Sequence, residues 1–247
     1  MDEIREHPIL AIKAKGYFFC SPEIKRRWDG KVRYVTEAGY FETGLLDQVC
    51  SVFEKLKAKY EIRDNRQLFK PKYSITELAG MEFRDDQVEA LNSIFTNRVM
   101  GLKFPRGIMA EATNYGKSLI AAGLFLSYAD KRKGLFLINS KALYDQALSD
   151  LRNLVGKEHI GQVNSNITDW RRINVCMVQT LGNRIKKDPR IRNELSKQDI
   201  IIVDEADEVI GFKVTKAILA NCFNASIRIA LTGTELKSKD KNKNQEQ

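Results

Sequence analysis

Two short stretches carry the residue types needed to handle a nucleoside triphosphate. Glu111-Ala-Thr-Asn-Tyr-Gly-Lys-Ser118 ends in the Gly-Lys-Ser core of a phosphate-binding loop. Backbone N–H groups of Thr113, Asn114, Tyr115 and Gly116 would surround the phosphates, with Lys117 reaching the β- and γ-phosphates and Ser118 ligating Mg²⁺. Glu111 stands where the consensus loop has its first glycine. The answering acids lie downstream in Ile200-Ile-Ile-Val-Asp-Glu-Ala-Asp207. Asp204 would hold the Mg²⁺ shell, and Glu205 would polarise the attacking water. Taken alone, the acidic run could equally cap a helix. The four apolar residues before it argue instead for carboxylates at a strand end. Lys117, Asp204 and Glu205 are therefore the expected catalytic set, and ATP with Mg²⁺ the expected ligands.

Those residues need a scaffold that brings distant segments together. From Met81 onward, apolar runs alternate with helical segments. The strands expected are Gly107–Ala110, Leu135–Asn139, Asn174–Val178, Ile200–Val203 and Ile227–Leu231, with helices over Lys117–Ala129 and Ala142–Val155. Short, continuously apolar strands separated by helices predict an α/β fold with a parallel sheet covered on both faces. Ligands in such sheets bind at the carboxyl ends of the strands, where both stretches fall.

The preceding residues read as a separate α+β unit over residues 1–66. Gly16–Cys20, Lys31–Val35 and Gly39–Thr43 look like strands, Trp28-Asp-Gly30 like a turn, and Leu45–Lys57 like an amphipathic helix. A linker is expected over 67–80, the nucleotide lobe over 81–236, and a mobile polar tail over 237–247. Arg26, Arg27, Lys31 and Arg33 flank the turn and would form a DNA-binding basic patch. Trp28 and the Phe18-Phe19 pair are read as core. The basic runs Lys131–Lys133 and Arg184–Arg192 are read as solvated faces.

The net charge of +9 and pI near 9.3 favour an anionic partner such as nucleic acid. Cys20, Cys50, Cys176 and Cys222 are too widely spaced for a zinc site and read as buried thiols in a reducing cytoplasm. No apolar run approaches the roughly 18 residues of a membrane span, and the start lacks a signal core.

Taken together, Asp-Glu-Ala-Asp at 204–207, Leu231-Thr-Gly-Thr234, Val178-Gln-Thr-Leu181 and Phe83-Arg-Asp-Asp-Gln87 resemble the superfamily 2 helicases and translocases. The resemblance implies a RecA-like lobe in which Arg84 and Gln87 read adenine. It assigns Thr232, Gly233 and Thr234 to coupling hydrolysis with movement, and gives Ser140, Lys141, Gln179 and Thr180 contacts with the nucleic-acid backbone. In the N-terminal part, Gly16-Tyr-Phe-Phe, Arg26–Lys31 and Gly44-Leu-Leu46 resemble the DNA-binding domain of phage UvsW-type helicases. Like RecG, those enzymes remodel branched DNA, migrating junctions, regressing forks and unwinding D-loops and R-loops. The phage relatives usually carry Pro-Thr-Ser-Ala-Gly-Lys-Ser in the loop and Cys-His where this chain has Ala206-Asp207. A host-cell cytoplasmic location follows if the gene is phage-encoded.

A superfamily 2 motor closes ATP between two RecA-like lobes, and no second lobe follows Thr234. The expectation is an N-terminal fragment of a longer helicase, completed by a second lobe in cis or, less simply, in trans. Two other readings stand beside it: a nucleotide-switched DNA-binding module, and an RNA helicase lobe of the Asp-Glu-Ala-Asp type. The RNA-unwinding branch usually has Ser-Ala-Thr in place of Thr-Gly-Thr.

Overall fold

The computed structural model describes residues 1–14, 17–66, 71, 77–78, 80–103, 105–110, 116–128, 132–209 and 212–233. The chain divides into two compact units, one built on Met1–Asn65 with Arg98–Leu102, the other on Arg66–Asn97 and the chain from Lys103 onward. The expected linker and tail lie largely or wholly outside the described residues.

In the first unit, Ala11–Lys13 pairs antiparallel with Lys31–Arg33, and Leu46–Lys55 forms a helix. Leu10, Val35, Val49 and Val52 make its small core, with Ile4, Ile9, Phe41, Leu45 and Phe53 packed against them. Three local expectations change. Tyr17–Phe19 is a 3₁₀ turn and not a strand, because Lys31–Arg33 takes Ala11–Lys13 as its partner. Gly39–Thr43 contributes a single bridge from Phe41 to Val35, because Thr36–Gly39 closes a turn there. Pro22–Arg27 is a helix the pattern did not announce; Ser21 caps it by accepting from the Ile24 N–H, and Pro22 stands at its first turn.

The second unit is built on a seven-stranded sheet. Its elements in chain order are α1 (Asp85–Thr96), β1 (Arg106–Ala110), α2 (Lys117–Ser127), β2 (Gly134–Ile138) and α3 (Lys141–Val155). They continue with β3 (Ile160–Val163), β4 (Thr168–Asp169), β5 (Ile173–Met177), α4 (Val178–Ile185) and α5 (Pro189–Ser196). The last are β6 (Ile200–Val203), α6 (Ala206–Val209), α7 (Lys213–Asn221) and β7 (Ile227–Thr232). The strand order is β4-β3-β5-β2-β6-β7-β1, parallel throughout except for β4, which lies antiparallel on β3.

The central strands explain why the sheet is covered on both sides. All five residues of β2 and all four of β6 are buried. Their side chains alternate between two cores. Phe136, Ile138 and Ile202 join Leu91, Leu124, Phe125 and Tyr144 from α1, α2 and α3. Leu135, Leu137 and Ile201 join Leu181, Leu195 and Ile218 from α4, α5 and α7. This is the expected α/β sandwich, and the five foreseen strands lie within one residue of their predicted bounds. β3 and β4 were not foreseen: β3 reads Ile-Gly-Gln-Val, with no unbroken apolar run, and β4 is only two residues long.

One polar side chain fixes the start of β5. Asn174 is fully buried; its Oδ1 accepts from the Arg171 N–H at 2.7 Å, and its Nδ2 donates to the carbonyls of Arg171 at 2.9 Å and Gly134 at 3.3 Å. Gly161 of β3 lies directly beside it in register. A Cβ at Gly161 would stand 2.3 Å from the Asp169 carbonyl oxygen and 2.5 Å from Asn174 Oδ1. The first of these atoms is backbone and cannot swing away. Gly161→Ala is expected to destabilise the unit by about 1–3 kcal/mol, read as a lower urea midpoint. An unchanged midpoint would contradict this account of β3.

Candidate nucleotide-binding site

The parallel strands bring the expected site residues to one end of the sheet, beyond their carboxyl termini. β1 leads toward the phosphate loop, β2 ends at Asn139-Ser140-Lys141, β5 at Gln179-Thr180, β6 at Asp204-Glu205 and β7 at Thr232-Gly233. Thr113, Asn114, Tyr115 and Thr234 lie outside the described residues. Gly116 is the first loop residue in place, and it caps α2 with φ +90°. That left-handed conformation suits glycine. A second reason for glycine is packing: a Cβ there would lie 2.6 Å from Gln87 Nε2.

Gln87 is thereby held against the phosphate loop. It is buried on α1, and its Oε1 accepts from the Arg84 N–H at 3.1 Å. Arg84 begins the same helix and pairs with Asp86 at 3.1 Å. Of the two expected adenine-reading residues, Gln87 thus lies against Gly116, and Arg84 meets Gln87 through its backbone N–H.

Lys117 and Ser118 open α2 beside the acids of β6. Lys117 Nζ donates to Glu205 Oε1 at 2.9 Å, and both side chains are largely shielded from solvent. Ser118 Oγ donates to Asp150 Oδ2 at 3.1 Å. Lys117, Ser118, Asp150, Asp204 and Glu205 line a single cleft of about 580 Å³ between α2, α3 and the end of β6. Asp150 was not foreseen. It lies mid-helix in α3, far from any loop motif, and only the fold turns it toward Ser118.

Asp204 is the strained member of this group. Its backbone N–H continues the sheet by donating to the Leu137 carbonyl at 2.9 Å, but its Oδ1 is buried without a hydrogen-bond donor. Burial pushes its carboxyl above the ordinary range, and the nearby Lys117 ammonium opposes the rise. Glu205 has φ +43°, a left-handed backbone that is uncommon for a non-glycine residue. A buried carboxylate oxygen lacking a donor, beside a lysine and a serine hydroxyl, fits a magnesium ion carried with polyphosphate. Among the described residues no three His, Cys, Asp or Glu side chains cluster to hold a metal alone. Ser118 and Asp204 would supply the protein's share, and phosphate and water the remaining ligands.

The remaining expected residues occupy mixed positions. Thr232 Oγ1 donates to Asp207 Oδ1 at 2.6 Å, tying β7 to the acidic run. Ser140 caps α3 by accepting from the Leu143 N–H at 3.3 Å, and Lys141 pairs with Asp145 at 2.6 Å. Gln179 is exposed and Thr180 half-buried at the start of α4. In the first unit Arg26 and Arg27 are exposed, whereas Lys31 and Arg33 are engaged by carboxylates. Lys31 pairs with Glu6 at 2.9 Å, and Arg33 pairs with both Glu6 and Asp29. The Arg33 guanidinium, with Lys31, holds the Glu6 carboxyl down to about 2 and keeps Asp29 well below the usual range. Two of the four basic residues thus have their charge answered within the unit.

Residues 80–236 match the family described as Type III restriction enzyme, res subunit (ResIII). The chain belongs to this family. Its fold is also that of solved helicase structures. The UvsW helicase from bacteriophage T4 superposes with a TM-score of 0.71 at 20% identity, covering 94% of this chain and 85% of that one. A second T4 UvsW structure gives a TM-score of 0.68 at 18% identity, covering 94% of this chain and 48% of that one. A Sulfolobus solfataricus SWI2/SNF2 ATPase core, solved with double-stranded DNA, gives a TM-score of 0.50 at 18% identity over 70% of this chain and 35% of that one. This chain therefore spans about half, or less, of two of these three. Among curated proteins the comparison found no match. The ResIII member thus shares the fold of the UvsW structures, including the foreseen RecA-like α/β lobe. Among the described residues, no helix is long and apolar enough to cross a membrane.

The raised carboxyl of Asp204 sets the sign of a pH effect. The folded protein binds that proton more tightly than the unfolded chain, so stability is lost as pH rises through the elevated value. Asp204→Asn is expected to raise the melting temperature near neutral pH, with the gain vanishing toward about pH 4, where the native carboxyl is also neutral. A lower melting temperature for the variant at neutral pH would mean that Lys117 outweighs burial.

Proposed function

We propose that this chain is the accessory DNA-binding unit and first motor lobe of an ATP-dependent DNA helicase or translocase that remodels branched DNA. The observation that carries this reading is one cleft holding Lys117, Ser118, Asp204 and Glu205, with Thr232 bonded to the adjoining Asp207. Gly116 and the start of α2 direct N–H groups and the positive helix end toward phosphate. Lys117 exchanges Glu205 for β- and γ-phosphate oxygens. Glu205, released from that pair, orients a water for in-line attack on the γ-phosphate. Magnesium, when bound, neutralises charge developing on the transferred phosphoryl group. Arg84 and Gln87 address the base, and Thr232 and Gly233 report the state of the acids to β7. The backbone-contact residues Ser140, Lys141, Gln179 and Thr180 stand at neighbouring strand ends, and Arg26 and Arg27 extend DNA contact to the first unit.

Completion of the site calls for a second RecA-like lobe, in cis or in trans, supplying arginine fingers. Such fingers are worth roughly 10³–10⁵ in rate in related enzymes. The 247-residue chain by itself is expected to bind Mg·ATP weakly and hydrolyse it very slowly. Lys117→Ala should abolish binding of a fluorescent ATP analogue without lowering the melting temperature by more than a few degrees. In a chain carrying the second lobe, hydrolysis should be stimulated more by forked DNA than by blunt duplex or RNA. Preferential stimulation by RNA would replace the DNA reading with the RNA-helicase one. Intact DNA remodelling by the Lys117→Ala form would leave only a DNA-binding module.

A further inference from the structure

The first unit displays two aromatic rings that its own fold does not use. Phe18 is 78% exposed and Phe19 is 93% exposed, although both were expected to be core. A phenylalanine left in water forgoes the gain of burying its ring, and here it happens twice in succession. The turn that presents them is firmly anchored. The Tyr17 ring lies flat over Gly30, where any Cβ would stand 2.5 Å from its Cγ. Tyr17 also meets the Trp28 ring edge-on at 5.6 Å, and its hydroxyl donates to the Trp28 carbonyl at 3.2 Å. Lys25 Nζ donates to the Phe18 carbonyl at 2.8 Å and fixes the turn from the adjacent helix. Trp28, also read as core, is a partly exposed prop for this turn, donating from Nε1 to the Lys31 carbonyl at 2.8 Å.

The charge around these rings is selective. Lys31 and Arg33 are neutralised by Glu6 and Asp29. Lys13, by contrast, is exposed with its Nζ 5.5 Å from the Phe18 ring centre. Lys25, Arg26 and Arg27 are exposed on one short helix whose only acid is Glu23. Exposed aromatic faces bordered by cations match the chemistry of single-stranded nucleic acid, in which bases stack and phosphates are neutralised. Paired bases in a duplex offer no such face.

We propose that Phe18 and Phe19 form a stacking platform for unpaired bases of single-stranded DNA, with Lys13 and Lys25 neutralising the flanking phosphates. This deepens the DNA-binding reading of the first unit and rests on it. The test is fluorescence anisotropy of the whole chain with two probes, a blunt duplex and the same duplex bearing a single-stranded tail. The tail should strengthen binding by wild type. Phe18→Ala/Phe19→Ala should lose at least about tenfold on the tailed probe and little on the blunt one. Phe18→Trp/Phe19→Trp should retain tail binding, whereas Phe18→Leu/Phe19→Leu should lose it, because stacking needs rings. Melting temperatures should be unchanged, since both side chains are exposed.

Three outcomes overturn the proposal while leaving DNA binding intact: equal losses on both probes, retained tail affinity in the alanine form, or retained affinity in the leucine form. A concentration-dependent dimer in sedimentation that the alanine form abolishes would also overturn it, in favour of self-association. Wild type binding neither probe would overturn the DNA reading itself.

Discussion

A carboxylate kept out of water at the end of a buried strand sets the terms for the rest of the site. Asp204 can sit there because β6 is an interior strand, flanked by β2 and β7, of a sheet covered on both faces, and its own backbone N–H donates to Leu137 of β2. The same burial that raises its proton affinity makes a nearby cation valuable, since charges attract more strongly where water is scarce. Lys117, in the first turn of α2, pairs with Glu205 and lies near enough to oppose that rise, and the turn depends on a glycine that tolerates both its backbone and the neighbouring Gln87. Gly116, the start of α2, the end of β6 and the Gln87 corner of α1 are therefore closely linked.

Much of that assembly was legible from residue order, for definite reasons. Strands buried on both faces read as unbroken apolar runs, so Ile200–Val203 could be placed to the residue. The carboxyl-end rule then located Lys117 and Asp204 in one neighbourhood. What stayed hidden were contacts made by the interior of helices. Asp150 carries no local signature, because its role comes from how α3 packs beside α2. The Lys117–Glu205 pair was equally invisible, since both residues were read by their affinity for nucleotide and water.

The first unit was harder, and size is the reason. Its core is four fully buried side chains with a few neighbours. With so little interior, apolar residues do not announce burial: Phe18 and Phe19 look like core yet face outward, and Trp28 is only partly covered. Charge was misleading in the same way. Lys31 and Arg33 read as free cations, but Glu6, twenty-five or more residues away in sequence, pairs with both, and Asp29 with Arg33.

Neighbouring side chains on a strand point to opposite faces of the sheet. Had β6 continued straight, Asp204 and Glu205 would have parted company. The left-handed twist of the chain at Glu205 folds the second carboxylate back alongside the first. Such a backbone costs of order 1–3 kcal/mol in a side-chain-bearing residue. A glycine would relax that tension and take away the carboxylate that pairs with Lys117. At this one position backbone ease and side-chain pairing pull in opposite directions, and the molecule has kept the pair.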